Sequence, residues 1–241
     1  MQFFRRWRPV KALSFDLDDT LYDNVPVIQN AEQALHDYLV TQHPETQVWS
    51  AADWQRRRLH MMRRDSHLAA DMTALRIAVL AEGFAECNIT EPQLAAEAAM
   101  AEFLRHRNAV TIHPDIHHAL AQLGQHYPLY ALSNGNVDIE AIGLRDYFTQ
   151  TFQPQQGRRG KPHLDMFHEA QRHEPNLAPA QWLHIGDSPS ADVLGAKRAG
   201  WQSAWYEQGL YRPDQLLVLP TLSFQNLTQL TEFLLPSVER R

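Results

Sequence analysis

At 241 residues and 44% hydrophobic content, the chain can bury a full core as one large domain or two modest ones. A net charge of −6 and a pI near 6.1 give no electrostatic case for a nucleic-acid partner. Cys87 is the single cysteine, which excludes an intramolecular disulfide and a cysteine zinc cluster and fits a reducing compartment. Thirteen histidines are scattered, and the adjacent pair His117-His118 lies in a helix-like segment without a third ligand nearby. No apolar run approaches the roughly 20 residues of a membrane span. The basic start, with Arg5, Arg6 and Arg8, lacks the apolar stretch of about 7–15 residues that an export signal needs. These features predict a cytoplasmic protein with a short basic arm and no membrane partner.

The first predicted strand is the apolar run from Val10 to Phe15, which feeds into Asp16, Asp18 and Asp19. After Leu21 the pattern becomes helical. Asp23-Asn24 and Pro26 suit a helix entry, and Val27, Ile28, Ala31, Leu35, Tyr38 and Leu39 recur at near-helical spacing until His43-Pro44. Further helices are expected over about 51–64, over about 71–83, and from Pro92 to about Arg107. No strand-like run falls between Tyr22 and Arg107.

Strand and helix then alternate. His113-Pro114 opens a helix through Leu123, and Leu129–Leu132 reads as a strand ending at Ser133-Asn134-Gly135. A helix near Ile139, a short strand around 148–152, a loop over 153–160 and a helix over 162–173 follow. Trp182–Ile185 is a strand ending at Gly186-Asp187. A helix from Asp192 closes at Gly200, Ser203–Tyr206 is a last short strand, and a final helix ends near Leu235. This order predicts an α/β fold, a parallel sheet flanked by helices. Residues 1–21 and 109–241 would form that core, and residues 22–108 a helical cap inserted after the first strand.

In a parallel sheet, residues just past the strands collect along one edge. Asp16/Asp18, Ser133-Asn134, Lys161 and Asp187/Asp192 can therefore converge. Crowded carboxylates repel unless a cation is present, and oxygen ligands of this kind suit magnesium. Lysine supplies a compact positive charge for phosphate, and the Ser133 hydroxyl with the amides after it can cradle its oxygens. Phosphoryl transfer asks for this combination of positioning and charge stabilisation.

The set Asp16-Leu17-Asp18-Asp19-Thr20, Ser133-Asn134, Lys161-Pro162 and Gly186-Asp187 with Asp192 resembles the motifs of the haloacid-dehalogenase-like phosphatases, in order and in spacing. The resemblance covers about residues 10–21 and 111–206. It implies a Rossmann-like core and Mg2+-dependent hydrolysis of a small phosphorylated metabolite, through an aspartyl phosphate on Asp16. Asp18 would be the general acid and base, with its main-chain carbonyl also on the metal. Asp187 would complete the metal ligands, and Asp192 would act from behind them, on a metal water or on Lys161. Ser133, Asn134 and Lys161 would hold the phosphoryl group. Hydrolytic dehalogenases of the same superfamily need neither the second aspartate nor a metal, so Asp18, Asp187 and Lys161 together imply phosphate. Residues 15–24 and the stretch Asp71-x-Thr73-x-x-Arg76 resemble the bacterial phosphatases of FMN and of 5-amino-6-(5-phosphoribitylamino)uracil, which places Arg76 among the substrate-binding residues.

Core motifs do not separate a phosphatase from a sugar-phosphate mutase or phosphotransferase, which would use the same aspartyl phosphate. A non-catalytic metabolite-binding protein would show a damaged motif, and none is present. A monomer or a homodimer is equally compatible with the sequence.

Overall fold

The computed structural model describes residues 1–65 and 68–235. The chain is α/β, with a seven-stranded sheet in the order β1-β7-β6-β5-β2-β3-β4. The strands are β1 (Gln2–Phe3), β2 (Ala12–Phe15), β3 (Leu129–Leu132), β4 (Gln150–Phe152), β5 (Trp182–Gly186), β6 (Gln202–Tyr206) and β7 (Leu222–Phe224). All neighbours run parallel except β1, which pairs antiparallel with β7.

Both faces of the sheet are covered, so its central strands are buried at every position and apolar at nearly all, the exceptions in β2 and β5 being Ser14 and His184. Leu13, Phe15, Leu129, Ala131, Leu183 and Ile185 face one way, into a core shared with α5 (Pro114–Gly124) and α8 (Leu227–Leu234). Ala12, Tyr130, Leu132 and Trp182 face the other way, against α6 (Asp165–His173) and α7 (Gly195–Arg198). Trp182 and Trp201 stack there with ring centroids 4.4 Å apart. Burying each such side chain contributes about 1.5–3 kcal/mol.

Four helices lie between β2 and α5: α1 (Val25–Gln42), α2 (Ala51–Arg64), α3 (Met72–Glu86) and α4 (Pro92–Arg107). They have apolar clusters of their own, around Leu39, Phe84 and Ala96, around Ala31 and Phe103, and around Met61, Leu75 and Val79. Their ends are set by local chemistry. Ser50 and Asp53 form a capping box at the start of α2, and the Asp71 carboxylate accepts from the amides of Thr73 and Ala74 at the start of α3. Among the described residues no helix is long and apolar enough to cross a membrane.

Three expectations change. The basic start is not a loose arm, because Gln2–Phe3 adds an edge strand and Phe3 and Trp7 pack edge-on against Phe233. Ser203–Tyr206 is not the last strand, since Leu222–Phe224 follows it in the sheet and is the partner of Gln2–Phe3. Near Ile139 there is a turn and not a helix. The Asp138 carboxylate takes the Glu140 amide, and Gly143, at φ +73°, ends the turn after one cycle.

Strand order reverses at β2: the chain first builds outward through β3 and β4, then through β5, β6 and β7 on the other side. The crevice beyond the carboxyl ends of β2, β3 and β5 is where such sheets bind ligands.

Candidate active site

Asp16 leaves β2 with its amide bonded to the Ile185 carbonyl of β5 at 2.8 Å, which fixes its backbone against the neighbouring strand. The next turn is tight. Asp19 sits at φ +59°, and its carboxylate accepts from the Asn24 amide at 2.9 Å. Burial raises the Asp19 carboxyl above its ordinary value. This turn aims Asp16 and Asp18 past the sheet edge and hands the chain to α1.

Lys161 is the charge centre. Its Nζ donates to Asp16 Oδ1 and to Asp192 Oδ1, each at 2.7 Å, with only 1% of the lysine side chain exposed. Asn134 places it: the Lys161 amide donates to Asn134 Oδ1 at 2.7 Å, and Asn134 Nδ2 donates to the Lys161 carbonyl at 2.8 Å. Ser133 Oγ accepts from the Gly135 amide at 3.0 Å, which tightens the turn after β3.

Asp192 takes two further hydrogen bonds. Its Oδ1 also accepts from His184 Nε2 at 2.9 Å, and its Oδ2 accepts from the Ser188 amide at 2.8 Å. Since a carboxylate only accepts, His184 carries its proton on Nε2, and its Nδ1 accepts from Ser14 Oγ at 2.7 Å. Ser14 and His184 are register partners on β2 and β5, so the sheet itself sets this contact. Burial keeps the His184 ring below its ordinary pKa and hence neutral. Gly186 lets Asp192 approach, since a Cβ there would lie 2.3 Å from its carboxyl carbon.

Asp187 is held weakly, by Thr20 Oγ1 at 3.4 Å and the Leu210 amide at 3.2 Å. Oxygens of Asp16, Asp187 and Asp192 lie within 4.8 Å of one another. One lysine cannot neutralise three buried carboxylates. Burial works to raise the Asp192 carboxyl, but Lys161 and the His184 hydrogen bond outweigh it and hold Asp192 below the usual range. The surplus charge falls on the other two. Burial, with Asp192 nearby, raises the Asp16 carboxyl despite Lys161, and burial with Asp192 pushes Asp187 up to about 7. A divalent cation bound through oxygens would relieve this. The donor set fits one: Asp16 accepts a single side-chain bond from Lys161 and Asp187 only two long ones, whereas Asp192 accepts three short ones.

Asp18 lies outside this trio and has partners of its own. Arg107, at the end of α4, donates through Nη2 to both its oxygens at 2.6 and 2.8 Å, and the Tyr22 hydroxyl donates at 2.5 Å. The Arg107 side chain is 1% exposed. Burial works to lower its guanidinium, but Asp18 overrides that and holds it above its ordinary value. Gly135 makes room: a Cβ there would fall 2.2 Å from Asp18 Oδ2. Both chain segments linking the helices to the sheet therefore touch one carboxylate.

The structure thus brings Asp16, Lys161, Asp187 and Asp192 into one cluster, with Asn134 behind Lys161, Ser133 at the end of the adjoining β3, and Asp18 beside it. Arg76 has other contacts. Its Nη2 pairs with Glu32 at 3.2 Å, and its guanidinium lies 4.1 Å from the Phe103 ring centroid. Arg107 and His184 are absent from the sequence reading. His184 had a signal, a lone histidine within an apolar strand beside an acidic turn. Arg107 had none, since an arginine in the last turn of a helix is ordinary.

A family model for haloacid dehalogenase-like hydrolases matches residues 10–200. The chain belongs to this family. The 5-amino-6-(5-phospho-D-ribitylamino)uracil phosphatase YigB of Escherichia coli strain K12 is 33% identical to it over 239 residues, 97% of this chain and 100% of that one. A phosphoserine phosphatase of Thermus thermophilus is 30% identical over 144 residues, 57% of each chain. Among solved structures, one described as a 2-haloacid dehalogenase from Pseudomonas syringae pv. tomato DC3000 superposes with a TM-score of 0.86 at 33% identity. It covers 93% of this chain and 98% of that one. As a haloacid dehalogenase-like hydrolase the chain is an enzyme, and its relatives include proteins named for phosphatase activity and for dehalogenase activity.

Proposed function

We propose that this hydrolase cleaves a small phosphate monoester, with Mg2+ held by Asp16, Asp187 and the main-chain carbonyl of Asp18. The observation that carries the reading is the cluster of Asp16, Asp187 and Asp192 around a single lysine, with a second aspartate two residues from Asp16. Halide displacement from carbon needs neither surplus carboxylates nor a proton for its leaving group. Phosphate ester cleavage needs both charge compensation and an acid. The bound ion would supply charge neutralisation at the phosphoryl oxygens.

The chain's own groups then divide the work. Lys161 anchors Asp16 through Oδ1 and faces the incoming phosphate. A carboxylate oxygen of Asp16 forms a bond to phosphorus as the ester P–O bond breaks, and the protonated form of Asp18, which the later water step regenerates, gives its proton to the departing oxygen. Asp18 next takes a proton from water, whose oxygen attacks phosphorus and returns Asp16 as carboxylate with inorganic phosphate. Ser133 donates its hydroxyl hydrogen to the phosphoryl group, while Asn134 acts by holding Lys161. Helices α1–α4, residues 22–108, serve as the cap over a core of residues 1–21 and 109–241.

A cavity of about 470 Å³ supports a polar leaving group. It lies between the start of α3 and the loops after β3 and β4, and Asp71, Thr73, Asn134, Asn136, Gln153 and Arg158 line it. Asn136 Nδ2 donates to Thr73 Oγ1 at 3.1 Å across it. Amides and hydroxyls of this kind suit a polyhydroxylated chain, and with the relationship to YigB they favour 5-amino-6-(5-phospho-D-ribitylamino)uracil or FMN as substrate. Arg76 does not line this cavity, and its Nη2 pairs with Glu32.

A panel of phosphorylated metabolites assayed with Mg2+ and with chelator tests the proposal. Release of phosphate from at least one compound, lost on chelation and lost in Asp16→Asn, is the expected result. Release that survives either treatment, or chloride release from a haloacid in chelator, sinks it. Movement of label onto a sugar acceptor in place of phosphate release would make the enzyme a phosphotransferase.

A further inference from the structure

Helices α1, α2 and α3 enclose a separate cavity of about 320 Å³ that none of the chemistry above uses. Leu35, Leu39, Trp54, Val79 and Leu80 form its walls. The Trp54 ring closes one side, pressed so near Gly83 that a Cβ there would sit 2.4 Å from it. At the charged end, Glu32 Oε1 takes Arg76 Nη2 at 3.2 Å and Arg58 Nη1 at 3.7 Å. Two guanidiniums thus share one carboxylate.

Their exposures sort them. The Arg76 side chain is 13% exposed and Arg58 25%, against 49% for Glu32, so the cations line the interior and the acid sits at the mouth. Neighbouring acids are engaged elsewhere: Asp53 with Arg56, Glu82 with Arg64 and Glu86 with Arg57. The cavity is therefore short of one negative charge. Burial, reinforced by Arg58, pushes the Arg76 guanidinium below its ordinary value, the sign of a cation without enough anionic company.

We propose that this cavity binds a small amphipathic anion, at a site distinct from the acid cluster. Its flat or branched apolar body lies among Leu35, Leu39 and Trp54, and its head displaces Glu32 to pair with Arg58 and Arg76. A volume near 320 Å³ is at the lower end for small-molecule sites, so the body is one or two rings or a short chain. Guanidinium groups accept carboxylate and phosphate heads with the same forked geometry.

Anilinonaphthalene sulfonate, an apolar ring system with one anionic head, is the probe, titrated by fluorescence against the full chain with Mg2+ and orthovanadate present. Saturable binding of one equivalent is expected. Arg58→Gln should weaken it about tenfold, since a hydrogen bond to a charged group is lost. Glu32→Gln should strengthen it severalfold, by removing the competing carboxylate. Ala52→Phe, at the rim, should block it. All three variants should keep the phosphatase rate. If the rim variant does not fold, the opposed shifts of Arg58→Gln and Glu32→Gln still decide. Displacement by naphthoate assigns a carboxylate head, displacement by naphthylphosphonate a phosphate head, and displacement by neither overturns the proposal. Affinity unchanged in both the Arg58 and Glu32 variants overturns it as well, and so does binding that falls as protein concentration rises, which would mean that a second copy covers the cavity.

Discussion

Replacing Asp187 by Asn should stabilise the metal-free enzyme while removing its response to Mg2+. Asp187 titrates at about 7 in the fold against an ordinary 3.8, because burial and Asp192 disfavour its charge. Well below pH 3.8 the group is protonated in both folded and unfolded chains and costs nothing. As pH rises toward 7 the unfolded chain releases the proton and the folded one keeps it, so stability falls, and above 7 the full penalty remains. A shift of about three units corresponds to about 4 kcal/mol, and relaxation around the charge brings the expected figure to about 2–4 kcal/mol at pH 8. Asn fits the same space: its oxygen accepts from the Leu210 amide, and its NH2 donates to Thr20 Oγ1. For a chain of this size that is a rise of about 4–16 °C in melting temperature. Scanning calorimetry in chelator at pH 8 and pH 4.5 measures it, and at pH 4.5 the gain should shrink to about 1 kcal/mol. Added Mg2+ should raise the parent's melting temperature and leave the variant's nearly unchanged. A variant that melts at or below the parent at pH 8, or whose gain does not shrink in acid, refutes the reasoning.

Arg107→Met should cost about 3–5 kcal/mol, because it strands a carboxylate in a largely buried site. Combining it with Asp18→Asn should recover much of that loss in a double-mutant cycle of urea melts. Lys161→Met leaves Asp16 and Asp192 facing each other, so it should destabilise by a similar amount at neutral pH and abolish turnover. Lowering the pH should recover stability without recovering the rate. His184→Phe removes the donor to Asp192 and leaves Ser14 unpartnered, a loss of about 1–3 kcal/mol. Its kcat should fall with KM little changed, since this ring is fully buried behind Asp192. Thr73→Val, in the polar cavity, should raise KM for a polyol phosphate and leave hydrolysis of an aromatic phosphate intact.

Most of the candidate site was readable from sequence because it is built from strand ends. Val10–Phe15, Leu129–Leu132 and Trp182–Ile185 each terminate in the polar residues that form the cluster, and parallel pairing brings such ends together without further information. Helices α1–α4 were legible for a different reason, since Pro26, Pro44, Ser50, Asp71 and Pro92 punctuate them at their own ends. Pairings between remote segments were hidden. Nothing local marks Gln2–Phe3 as a strand until Leu222–Phe224 is placed beside it. Nothing in the last turn of α4 shows that Arg107 reaches back to Asp18, 89 residues earlier. The Ile139 helix failed because a capping aspartate and a glycine stand only a few residues apart, too close for more than one turn. Arg76 was singled out from a short resemblance, and its contacts with Glu32 and Phe103, on two other helices, were not legible.

Tyr22 and Arg107 stand 3.5 Å apart over the same carboxylate, so the chain leaves the sheet and returns to it at nearly one point. To the sheet, everything in between is a closed loop. The entropy of closing a loop grows only with the logarithm of its length, about 0.6 kcal/mol per doubling. The insert can lengthen, shorten or be exchanged whole while the strand edge keeps its register and its acids. Selection can therefore vary the four inserted helices over an unaltered strand edge, provided the residue that replaces Arg107 still neutralises Asp18.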